Sequence, residues 1–172
     1  LFVSELKKSF NVEKVKSDVN IIPPNIDVLM VMHPKKLSDT TLFAIDQYVM
    51  RGGRLMAFVD PFSRTDQQQN QKQQMQMQGQ MQSFSSDLNK ILKSYGATVN
   101  PAEVVADTKH AMRVNTGAGG VVSYPVWMQL SQDNMNQKSI VTADLETMMI
   151  MDAGAIKNEK LDGVEFQTLI ES

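Results

Sequence analysis

The stretch from Ile26 to Phe62, IDVLMVMHPKKLSDTTLFAIDQYVMRGGRLMAFVDPF, constrains the fold more than any other part of the chain. Val28 to Met32 is an unbroken apolar run, the pattern of a strand covered on both faces in a parallel sheet. It stops at His33-Pro34, where proline withholds an amide from the ladder. Ser38 is placed to accept the free amides of a first helical turn, Asp39 puts a negative charge at the positive end of the helix dipole, and Leu37 can pack on Leu42. Leu42, Ile45 and Val49 repeat at helical spacing with Ala44 and Tyr48 beside them, leaving Asp46, Gln47 and Arg51 to face water. Gly52 and Gly53 supply the left-handed geometry that closes a helix, and Leu55 to Val59 is a second apolar strand ending at Asp60-Pro61. The pattern predicts a βαβ unit with a right-handed crossover.

The remaining segments fit an α/β layer fold. Leu1 to Phe10 is expected to be a short helix, and Val12 to Val15 a brief strand. Ser83 or Ser85 can cap a helix that runs to Tyr95, with Leu88, Ile91 and Leu92 as its apolar stripe and Gly96 as its stop. Ala97 to Val99 and Glu103 to Ala106 are short strand candidates, and Gly154 marks a turn. Thr142 to Met151 reads as a helical turn followed by a strand. Gly163 to Ile170 alternates as an edge strand would. The glycine cluster Gly117 to Gly120 lacks the spacing of a phosphate-binding loop and reads as a hairpin or loop, with an anion-binding nest as the lesser reading. Residues 66–82 are mostly glutamine with scattered methionine, a low-complexity insertion that reads first as a mobile loop, second as a helix pinned by Met75, Met77 and Met81, and as a distant third as a Cu(I)-binding methionine stripe, which the two-residue spacing of Met75 and Met77 disfavours.

At 172 residues, 42% hydrophobic and 21% charged, the chain is sized for one globular α/β domain spanning residues 1–172. A formal net charge of -2 offers no basic footprint for nucleic acid. No apolar run approaches the roughly 18 residues a membrane helix needs, and a chain that begins at Leu1 reads as a piece of a longer protein whose anchors lie elsewhere. The absence of cysteine excludes thiolate metal sites and cysteine nucleophiles from these residues. No histidine pair or carboxylate cluster has metal-ligand spacing, and no cofactor motif is present.

In an open α/β sheet, ligands bind beyond the carboxyl ends of the strands. Those positions here are His33 and Asp60, with Lys35, Ser63 and Arg64 nearby. The five could bind an anion or a hydroxylated ligand, and His33 with Asp60 could serve acid-base chemistry in a small hydrolase or transferase. The plainer reading is that His33 and Asp60 cap the strand ends by bonding neighbouring backbone. Trp127 reads as core or as cover for a sheet edge, with a stacking platform for a sugar as the lesser reading.

The segment from Ile22 to Pro61, IPPNIDVLMVMHPKKLSDTTLFAIDQYVMRGGRLMAFVDP, resembles the auxiliary family of gliding-motility-type ABC transport systems, and YPVWMQL, TADLETMMIMDAGAI and VEFQTLIES are similar to its downstream strands. The resemblance implies a flavodoxin-like parallel sheet, akin to class I glutamine amidotransferases, with helices on both faces. In that family a strand precedes the helix matching Leu1 to Phe10; its absence here leaves open whether an edge or a central strand is missing. The resemblance further implies a non-catalytic module on the periplasmic, extracytoplasmic face of the inner membrane. Its partners would be ABC permease and ATPase subunits or a polysaccharide, and its parent protein would be membrane-anchored. The amidotransferase relatives depend on a nucleophilic cysteine, which this chain lacks.

Overall fold

The computed structural model describes residues 2–68, 83–117 and 119–172. The expectations for the glutamine tract fall mainly on residues 69–82, outside the described residues. By internal contacts the chain divides into two compact units, Leu1–Val31 with Lys36–Ala57, and Met32–Lys35 with Phe58–Ser172. Among the described residues no helix is long and apolar enough to cross a membrane.

The first unit is built on the βαβ segment. After helix α1 (Phe2–Ser9), strand β1 (Val28–Met32) leads to helix α2 (Asp39–Met50) and strand β2 (Arg54–Phe58). The Ser38 side chain accepts the Thr41 amide, as its position predicts. Thr41, Leu42, Ala44, Ile45 and Tyr48 turn inward and share a core with Ile22 and Leu29. The two glycines after α2 do different work. Gly52 takes the left-handed φ of 94° that ends the helix, whereas a Cβ on Gly53 would lie 2.5 Å from the Tyr48 ring. Arg51 is exposed, as expected, and also stacks its guanidinium 5.4 Å from the Tyr48 ring centroid and donates to the Ile22 carbonyl. That bond satisfies a carbonyl in a turn that has no ladder to join.

β1 and β2 pair side by side, and the His33 amide just past β1 donates to the Phe58 carbonyl at 2.9 Å, which places both carboxyl ends at the same edge. This is parallel pairing, and among the described residues it is confined to these two strands. The single flavodoxin-like parallel sheet expected from the resemblance is therefore not what the described residues form.

In the second unit the pairing is antiparallel. β3 (Ala97–Val99) pairs with β7 (Ile156–Asn158), and β4 (Ala111–Asn115), β5 (Val121–Ser131) and β6 (Thr147–Met151) form a three-stranded sheet in that order. For β4 and β5 the connection decides this. The glycine cluster makes a hairpin, closed by the Thr116 amide donating to the Gly120 carbonyl at 2.9 Å with Gly117 and Gly119 at positive φ. A turn that short can join only antiparallel neighbours.

Helix α3 (Asn89–Leu92), continued by a 3-10 turn (Lys93–Tyr95), begins later than expected, because Ser83 and Ser85 bond each other and Asp87 receives the Asn89 amide. Gly96 stops it at φ 80°. Val12 to Val15, Glu103 to Ala106 and most of Gly163 to Ile170 form no strand; only Ile170 makes a bridge, to Met135. Alternation alone does not make a strand when no neighbouring edge offers a ladder. Gly154 is needed for approach rather than for a turn, since its Cβ would meet Val99 at 3.1 Å and Pro61 at 3.2 Å. Leu88, Ile91, Val99, Met128, Leu130 and Met135 are the buried apolar residues of this unit.

Candidate functional site

All five residues singled out from the sequence fall in the second unit, just past the ends of β1 and β2. His33 takes a left-handed φ of 46°, a strained conformation for a residue with a Cβ. Its Nε2 shares a hydrogen bond of 3.0 Å with Asp66 Oδ2, and Lys35 donates to that same oxygen. Lys35 also donates to the Ser83 carbonyl at 2.8 Å. His33 and Lys35 are thus joined through Asp66, at the start of the glutamine-rich, low-complexity tract. The Lys35 ammonium, with His33 second, holds the Asp66 carboxyl below its usual range.

Asp60 is not bonded to His33. Its Oδ1 accepts the Phe62 amide at 3.1 Å, the strand-end capping that the plainer reading anticipated. Burial pushes the Asp60 carboxyl upward, and the Phe62 amide and the nearby His33 only partly offset this. The Asp60 backbone is fixed by Ser86, whose hydroxyl accepts the Asp60 amide at 2.7 Å. Ser63 is buried and structural: its amide donates to the Phe84 carbonyl, and its hydroxyl accepts the Asp66 amide.

Arg64 turns to a different set of partners. Its Nε donates to Asp152, and its guanidinium lies over the Trp127 ring at 4.6 Å from the centroid. Asp152 follows β6 at φ 53° with only 6% of its surface exposed. The hydrogen bond to Asp152 raises the Arg64 guanidinium above its usual value.

Trp127 reaches this position because β5 bulges. Ala111 pairs with Met128 and Met112 with Tyr124, so Pro125, Val126 and Trp127 have no partner on β4. Tyr124 meets Trp127 edge to face at 5.3 Å. A second histidine pair lies elsewhere: Asp107 and His110 share a 2.5 Å bond that lowers the Asp107 carboxyl.

Two buried side-chain nitrogens among the described residues lack a partner, His33 Nδ1 and Trp127 Nε1. No group of three or more acidic or histidine side chains among the described residues could hold a metal ion. Asp66 and Asp152 escaped sequence reasoning because their partners lie 31 and 88 residues away.

These features describe an α/β protein that gathers ion pairs past its strand ends. The family model described as an ABC-type uncharacterized transport system matches residues 1–172, and the chain belongs to that family of ABC-transport auxiliary components. No curated protein and no solved structure matches the chain.

Proposed function

We propose that the chain is a non-catalytic module of a gliding-motility-type ABC transport system, held on the extracytoplasmic face of the membrane, where it binds a partner protein; a polysaccharide is the second partner class. The observation that carries this reading is the family match across residues 1–172. A flavodoxin-like sheet belongs to the same proposal and requires further parallel strands beside β1 or β2.

The geometry of the charged cluster supports a structural role. A histidine that moves protons needs one ring nitrogen on its orienting carboxylate and the other facing the reacting group. His33 gives Nε2 to Asp66, and its Nδ1 is buried. Asp66 Oδ2 and the Lys35 ammonium are likewise tied into one ion pair rather than presented to a ligand. One observation favours the alternative of a hydrolase or transferase using His33 and Asp60, namely the upward-shifted Asp60 carboxyl.

Affinity capture separates the readings. The tagged chain should enrich the cognate permease and ATPase from a detergent extract over a tag-only control, and His33→Gln should enrich them equally. Failure to enrich either subunit, together with silence on a glycan array, would sink the proposal.

A further inference from the structure

We infer that the free edge of β6 is a docking site for an extended strand of a partner protein, so that binding proceeds by strand addition to the β4-β5-β6 sheet. The inference rests on the protein-partner reading above and names the surface that would serve it. Register fixes which groups face outward. The Asp152 amide donates to the Val126 carbonyl at 2.9 Å, and Trp127 opposes Met151 in the same ladder, through Ser131 opposite Thr147. In an antiparallel pair, residues that exchange hydrogen bonds alternate with residues that do not. Met148 and Ile150 therefore bond β5, whereas the amides and carbonyls of Thr147, Met149 and Met151 point away from it. β6 is the edge strand of its sheet, and among the described residues no backbone group outside the sheet meets these outward groups.

The side chains on one face of that edge strand are open as well. Met149 is 57% exposed and Met151 44%. Exposed edges are normally blunted by lysine, proline or a bulge, and β6, TMMIM, carries no charge, proline or glycine. Asp144 and Glu146, both exposed, precede the strand. The complementary partner is an extended segment with apolar side chains against Met149 and Met151 and a lysine or arginine near Glu146. A second copy fits less well, because antiparallel pairing centred on Met149 would set Glu146 against Asp152 of the other copy.

Amide exchange followed by NMR tests this, using the peptide acetyl-Lys-Val-Thr-Val-Thr-Val-amide as probe. In the chain alone, the Thr147, Met149 and Met151 amides should exchange at least ~10-fold faster than those of Met148 and Ile150. The peptide should slow the first three by ~3-fold or more, while the same peptide N-methylated at alternate residues should not. Met149→Pro removes an outward amide rather than a donor to β5 and should abolish the effect; Met149→Lys should weaken it, and Met149→Leu should retain it. Slow exchange of the three amides in the free chain, equal protection by the N-methylated peptide, or self-association that Met149→Pro abolishes would each overturn the inference. Any of these results alongside intact permease capture would remove the β6 site and leave the function standing.

Discussion

Lys35 and Asp66 form an ion pair across 31 residues of sequence, and the same ammonium donates to the Ser83 carbonyl, so one side chain ties residue 66 to residue 83. The His33 ring joins the same carboxylate, which gives the strained loop after β1 a fixed anchor.

Lys35→Met should therefore lower stability, by about 0.5–1 kcal/mol because the pair is partly exposed to solvent. The pH dependence follows from the depressed Asp66 carboxyl. A carboxylate held below its unfolded value contributes fully above that value, near 3.9, and the contribution fades as pH falls through the lower folded value. Urea unfolding of the wild type and the variant should differ by a constant amount above about pH 5 and converge below about pH 4. A difference that persists unchanged into acid would contradict the pairing.

Asp60 should behave in the opposite sense. Its carboxyl is raised by burial, so the unfolded chain loses the proton first, and stability declines as pH rises from the unfolded value through the higher folded one. Asp60→Asn keeps an acceptor for the Phe62 amide and removes this penalty. The variant should be at least as stable as the wild type at pH 7 in the same urea series, with its relative advantage growing as pH rises out of the acid range. A clear loss of stability at pH 7 would mean that the ionised carboxylate has a partner the geometry does not show.

The glycine pair after α2 separates two kinds of constraint. Gly53→Ala would press a methyl group into Tyr48, a clash costing about 1–3 kcal/mol. Gly52→Ala has open space and meets only the left-handed φ, a cost of about 1–2 kcal/mol. Thermal unfolding should rank Gly53→Ala as the more damaging. The reverse order would place the strain in the backbone rather than in packing.

Arg64→Met should leave the Asp152 carboxylate buried and without its cation. Breaking a fully buried pair costs about 3–5 kcal/mol; because the Arg64 side chain is 40% exposed, a loss nearer 2 kcal/mol is expected. Arg64→Lys should recover only part of it, since an ammonium cannot both stack flat on Trp127 and reach Asp152. Adding Asp152→Asn to Arg64→Met should restore stability, and Trp127 fluorescence should report loss of the stacked cation. Additive losses in the double variant would argue against coupling of the two residues.

The parts of the fold legible in the sequence are those specified locally. The Ser38 cap, the glycine pair and the apolar runs each announce themselves within a few residues, so β1, α2 and β2 appear where expected. Gly96 and the Gly117–Gly120 hairpin belong to the same class. Choices set by distant partners were not legible. Val12 to Val15 and Gly163 to Ile170 carry strand-like patterns without a matching edge, and β7 forms only because Ala97 to Val99 offers one. The candidate site divides in the same way. The strand-end rule placed His33, Lys35, Asp60, Ser63 and Arg64 in one region, but the carboxylates that organise them, Asp66 and Asp152, come from a low-complexity tract and from the end of β6. The aspartate after the apolar run TMMIM was the one available signal for Asp152.

The most direct test of the central claim is binding of the purified chain to the cognate permease reconstituted in nanodiscs, measured by biolayer interferometry for the wild type and for His33→Gln and Asp60→Asn. The account predicts saturable binding, unchanged within about twofold by either substitution, since neither side chain is proposed to carry function (a twofold change is ~0.4 kcal/mol). No binding to the permease, or a hydrolytic activity of the wild type that either substitution abolishes, would contradict it.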